Sequence, residues 1–192
     1  IFSGTGIEKL IIPGYVTTIE KNAFRGNSSL VTVEFEEGAA LPLTIGEAAF
    51  YGCRKLTNLV LPTHLTTLGK YAFGVTPNGD QSTNLTHVTV NSSGLGKALD
   101  FAAGAFSSIP GLGSSLTQKD IPTYYVTDLY LGPQTPAFDI AGVFGPALAR
   151  VTVDPANDNL ASDDDGVLYN KSYTEILFYP SGRRGTFELL PS

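Results

Sequence analysis

The chain has 192 residues, enough to bury most of the surface its unfolded form exposes, and 42% of them are hydrophobic, which excludes wholesale disorder. Its formal charge of −6 argues against a nucleic-acid binder, which would carry a basic stripe, and no apolar run approaches the ~20 residues of a membrane-spanning helix. With Cys53 alone no internal disulfide can form, so cysteine usage leaves the redox compartment open.

The chain opens on Ile7-x-x-Leu10-x-Ile12-Pro13, and the same strand returns five times. It reads Leu30-x-x-Val33-x-Phe35, Leu56-x-x-Leu59-x-Leu61-Pro62, Leu85-x-x-Val88-x-Val90, Val126-x-x-Leu129-x-Leu131 and Leu148-x-x-Val151-x-Val153. Residue 1 lies just before the first copy, with no initiator Met and no signal-peptide pattern, so the chain is expected to be a processed piece of a longer one. The copies start at residues 7, 30, 56, 85, 126 and 148. Spacing that irregular needs a unit with a constant core and insertions confined to loops, as in a solenoid.

Within a unit, Leu59 and Leu61 share one strand face and Leu56 points inward from the preceding turn. Pro62 ends the strand because it cannot donate a ladder hydrogen bond. A second apolar pair follows, Val16 and Ile19 or Leu65 and Leu68, read as a short extended segment across the coil. The unit closes on a short helical turn ending in Ala-Phe, at Phe24, Phe50, Phe73, Phe106 and Phe144 (where Val replaces Ala). Ala allows close backbone approach there, and the Phe set is core, filling the space between coils, not an aromatic binding box. Six strands stacked in parallel about 4.8 Å apart would span roughly 24 Å.

Turn-rich loops are expected over Val75–Thr83 and Ser107–Thr123. After Val153 the grammar changes: Asp165–Asn170 and Glu175–Pro180 read as the arms of a β-hairpin, with Lys171–Thr174 as its turn. Phe187–Pro191 reads as the start of a further strand.

The run Leu59-Val60-Leu61-Pro62-Thr63-His64-Leu65-Thr66-Thr67-Leu68-Gly69-Lys70-Tyr71-Ala72-Phe73, with Ala49-Phe50-Tyr51-Gly52-Cys53, resembles the BspA-like, or treponema-type, leucine-rich repeat. Asp165–Lys171 with Phe178-Tyr179-Pro180 is similar to the hairpin unit that punctuates such arrays. The resemblance implies one leucine-rich-repeat solenoid domain over 1–192, a right-handed, mostly β coil of about six repeats with a parallel sheet on one face. Repeats would fill 7–153, and the hairpin unit and the start of a further repeat 154–192. Members of that family are surface or secreted proteins of host-associated bacteria, several implicated in adhesion to host proteins. The resemblance therefore implies a cell-surface or secreted binding module, present as a monomer or as part of a longer array.

No catalytic set emerges beside it. Asp163-Asp164-Asp165-Gly166 invites a calcium loop, but Ala161 and Ser172 occupy the first and twelfth positions where ligands are required, so a solvated turn is expected. His64 and His87 stand 23 residues apart with no Cys or carboxylate at metal-ligand spacing, and no Gly-x-Ser-x-Gly occurs. Gly94-Leu95-Gly96-Lys97 lacks the spacing of a phosphate cradle. No cofactor, metal or nucleic acid is expected, and the chain reads as a non-enzyme. What remains is surface. Two outward rows along the strands are expected, Lys9, Thr32, Asn58, His87, Asp128 and Arg150 in one, and Ile11, Glu34, Val60, Thr89, Tyr130 and Thr152 in the other. From these, Lys9, Glu34, Asn58, His87, Asp128, Tyr130 and Arg150 are the candidate contacts for a protein ligand, such as a host extracellular-matrix or mucosal protein. A structural spacer and a glycan-capture module built on Tyr124, Tyr125 and Tyr130 are the alternatives.

Overall fold

A computed structural model describes residues 5–37, 41–75, 84–109 and 124–181. In chain order these carry β1 (Lys9–Ile12), β2 (Thr18–Ile19), β3 (Thr32–Phe35), β4 (Leu43–Ile45), β5 (Asn58–Leu61), β6 (Leu65–Leu68) and β7 (His87–Val90). They continue with β8 (Asp100–Phe101), β9 (Asp128–Leu131), α1 (Ile140–Phe144), β10 (Arg150–Val153), β11 (Leu160–Ser162), β12 (Leu168–Asn170) and β13 (Ile176–Phe178). Most of the two expected loops, and the strand expected over 187–191, lie outside the described residues.

The six repeated motifs are the six long strands β1, β3, β5, β7, β9 and β10, all running parallel. Each motif aligns residue for residue with its neighbour, so Asn58, His87, Asp128 and Arg150 are successive register partners. The second apolar pairs, expected as short extended segments across the coil, form a second parallel sheet, β2-β4-β6-β8. Between the sheets lies one connected core, from Ile12 to Leu168, filled by Leu43, Ile45, Leu56, Leu59, Leu61, Leu65 and Leu68 and their equivalents.

The first sheet is not continuous. β1 pairs with β3, and β5, β7, β9 and β10 form a separate ladder. Elsewhere the residue after each strand donates its N–H to the strand before: Glu36 to the Ile12 carbonyl, Asn91 to Leu61, Gly132 to Val90 and Asp154 to Leu131. After β5 that residue is Pro62, which has no N–H to offer the end of β3. The seam is clipped instead by Thr63, whose Oγ1 donates to Glu37 Oε2 at 2.6 Å.

The Ala-Phe segments hold a third, equally regular stack. Phe24, Phe50, Phe73, Phe106 and Phe144 are all buried, and consecutive ring centroids lie 5.2, 5.0, 5.5 and 4.6 Å apart with the planes within 20° of parallel. That spacing matches the strand repeat, so each ring fills one coil's thickness. The backbone N–H groups of Phe24, Phe50 and Phe73 donate to Ala49, Ala72 and Ala105 of the next coil, an approach that only a small side chain permits. These segments are hydrogen-bonded turns and not the helical turns expected, because Asn22, Ala48, Tyr71 and Gly104 take positive φ (58°, 53°, 59° and 77°) and break any helical run. Among the five Phe-bearing segments only the last forms a short helix, α1, whose first turn is capped by Asp139 Oδ1 accepting from Gly142 N.

Beyond β10 the expected hairpin is β12 paired antiparallel with β13. A third strand, β11, joins its other side, making a three-stranded meander. Buried Asn157 anchors the chain's entry into β11: its Nδ2 donates to the carbonyls of Gly132 and Thr135, and its Oδ1 accepts from the N–H groups of Asn159 and Leu160.

Candidate binding surface

Strand pleating sends the motif's fourth and sixth residues inward and leaves the third and fifth facing out. Both outward rows anticipated from the sequence are therefore on the same exposed face, and all seven candidate contacts lie there. Asn58, His87, Asp128 and Arg150 form an unbroken row across β5, β7, β9 and β10, with Tyr130 two residues along from Asp128. Lys9 and Glu34 sit beyond the seam, joined diagonally by an ion pair of 2.7 Å. Both partners are about half exposed, so the pair orders the two side chains without adding much stability.

The middle of the row is held by short polar contacts. His87 Nε2 lies 3.7 Å from Asp128 Oδ2, its Nδ1 is 2.8 Å from Thr86 Oγ1, and Thr127 Oγ1 donates to the same Asp128 oxygen at 2.7 Å. Tyr130 donates its hydroxyl to Asp154 Oδ2 at 2.6 Å. That bond holds the Asp154 carboxyl below its ordinary value, with the Ala156 N–H acting the same way, and pushes the Tyr130 phenol up. Asp154 was not among the surface contacts anticipated from the sequence; its place directly after the sixth repeated strand was the available signal. The face also carries two exposed aliphatics, Ile11 at 50% and Val60 at 49%. Rigid backbone, fixed polar groups and scattered apolar contacts are the ingredients of a recognition surface.

The other residues weighed for chemistry are used structurally. Cys53 is buried and its thiol, pushed up to about 12 chiefly by burial, donates weakly to the Phe24 carbonyl. His64 is a buried residue of the turn between β5 and β6, and its carbonyl accepts from Leu43 N. Asp163 closes the turn into β12, its carboxylate accepting from Val167 N and the Tyr169 hydroxyl. Tyr124 packs its ring against Gly145.

Among solved structures, the pneumococcal vaccine antigen PcpA is similar, with 22% identity and a TM-score of 0.49, covering 91% of this chain. The chain spans 37% of the length of that one. No curated protein matches. The model of the BspA type leucine-rich repeat region matches residues 1–112 in six copies, and β9 and β10 extend the same ladder beyond that match. The chain belongs to the BspA type leucine-rich repeat family.

Proposed function

We propose that this chain is a non-enzymatic binding module of a cell-surface or secreted protein, engaging a protein partner through the outer face of its long-strand sheet. The observation that carries the reading is the register-locked row Asn58–His87–Asp128–Arg150 on paired strands, flanked by the exposed Ile11 and Val60. The partner class is an extracellular protein, with host-matrix and mucosal proteins the first to try. No helix of the described residues is long and apolar enough to cross a membrane. The test is binding of the chain to an array of matrix proteins, mucins and glycans at two salt concentrations. A saturable protein hit that weakens in Tyr130→Ala and Glu34→Ala is the expected result. Binding that ignores both substitutions moves the site off this face. No binding to any member of the array favours a spacer role.

A further inference from the structure

The turn joining β12 to β13 contains an exposed tyrosine in a backbone conformation that tyrosine rarely adopts. Tyr173 has φ 57° and is 48% exposed. Left-handed backbone favours Gly or Asn, and holding a bulky residue there works against folding by roughly tenfold. The turn is built without the Tyr173 side chain. Asn170 Oδ1 accepts from the N–H groups of Thr174 and Glu175, its Nδ2 donates to Thr174 Oγ1, and its carbonyl accepts from Tyr173 N. A glycine would fit the same backbone with less strain, so the ring itself needs a reason.

The ring's position supplies one. Tyr173 lies over Tyr169, with centroids 5.2 Å apart and planes tilted by 46°, and its hydroxyl reaches the Ser162 carbonyl at 3.4 Å. Tyr169 is buried and donates to Asp163 Oδ2, so the lower ring is fixed. Asp163 and the exposed Asp165 place negative charge beside this aromatic step. The field is strong enough to act on the Tyr169 phenol, which burial first and Asp163 second push up to about 12. The nearest cation in sequence, Lys171, is held by the Pro155 carbonyl.

We propose that Tyr173, supported by Tyr169 and bordered by Asp163 and Asp165, is a docking subsite for an arginine side chain of a partner protein, separate from the sheet face. A guanidinium stacks flat on a tyrosine ring and forks to a carboxylate, which neither a lysine nor a neutral sugar does equally well. The test titrates the whole chain with hexa-arginine at low salt, following the tyrosine ring resonances. The expected result is a saturable shift of Tyr173 and Tyr169 that is unchanged in Tyr130→Ala. In Tyr173→Gly the affinity falls about two- to fivefold while the melting temperature holds or rises, because glycine relieves the backbone strain. Asp165→Asn, which alters charge at an exposed site, weakens binding in the same direction. An unchanged affinity in Tyr173→Gly overturns the proposal, as does saturation by a neutral hexasaccharide with no response to hexa-arginine.

Discussion

Removing the ring of Phe73 tests whether the aromatic stack holds neighbouring coils together. The ring is 5% exposed and sits between Phe50, 5.0 Å away and tilted by 2°, and Phe106, 5.5 Å away and tilted by 15°. Two such contacts contribute about 1–3 kcal/mol beyond burial, at about 0.5–1.5 kcal/mol each. Truncation also leaves a cavity that the hydrogen-bonded turns on either side cannot collapse to fill, so Phe73→Ala should cost about 3–5 kcal/mol. Phe73→Leu keeps most of the volume and should lose mainly the aromatic part, about 1–3 kcal/mol. Urea unfolding followed by far-UV circular dichroism measures both, since the chain has no tryptophan to report by fluorescence. Hydrogen exchange locates the damage. Phe50 N donates to the Ala72 carbonyl and Phe73 N to Ala105, so the turns on both sides should lose protection together. A cost below about 1 kcal/mol for the alanine variant, less than a buried aromatic ring should contribute, would refute the stacking argument. So would protection lost evenly along the chain.

Three other residues carry further expected outcomes. Gly69→Ala would place its Cβ 2.5 Å from Glu47 N and 2.6 Å from the Gly46 carbonyl carbon, so the coils must separate locally and thermal unfolding should show a loss of about 1–3 kcal/mol. Glu20, at the same position of the first coil, already carries a full side chain. Above pH 9.0 an unfolded Cys53 thiol ionises while the folded one keeps its proton until about 12. Stability should therefore fall across that window by up to about 1.4 kcal/mol per pH unit from this group, a component that urea titrations of Cys53→Ala should lack. The same burial predicts no alkylation of native Cys53 at pH 8, with labelling appearing only as urea opens the coils. Tyr130→Phe removes the bond that holds Asp154 low, so a carboxyl NMR titration should show the Asp154 pKa moving up toward the ordinary carboxylate range.

The inward residues of the strands were legible because a leucine-type repeat states its core outright. Leu59 and Leu61 can share a face only in extended backbone, and six recurrences of that spacing leave little choice but stacked parallel strands. The identity of the exposed rows followed from the same pleat, which is why Lys9, Glu34, Asn58, His87, Asp128, Tyr130 and Arg150 all emerge on one side. The antiparallel arms around Lys171–Thr174 were equally visible, as alternating apolar runs bounded by turn residues.

Other features depended on which residues meet across coils, and local pattern holds no record of that. Pro62 announced a strand end, but only stacking shows that it also interrupts the ladder between β3 and β5 and leaves Thr63 and Glu37 to clip the seam. The Ala-Phe segments looked helical by spacing; the interlocking N–H bonds of Phe24, Phe50 and Phe73 with the next coil instead impose turns with a left-handed residue in each. Tyr173 looked like an ordinary turn residue, and its strain and its seat over Tyr169 appear only once β12 and β13 are paired. Sequence by itself determined the repeat, its buried side and its exposed rows, because burial and strand period are properties of short stretches of chain. Tertiary structure decided the seam, the turn geometry and the aromatic step, because each is set by contacts between residues distant in sequence or by a backbone conformation that those contacts enforce.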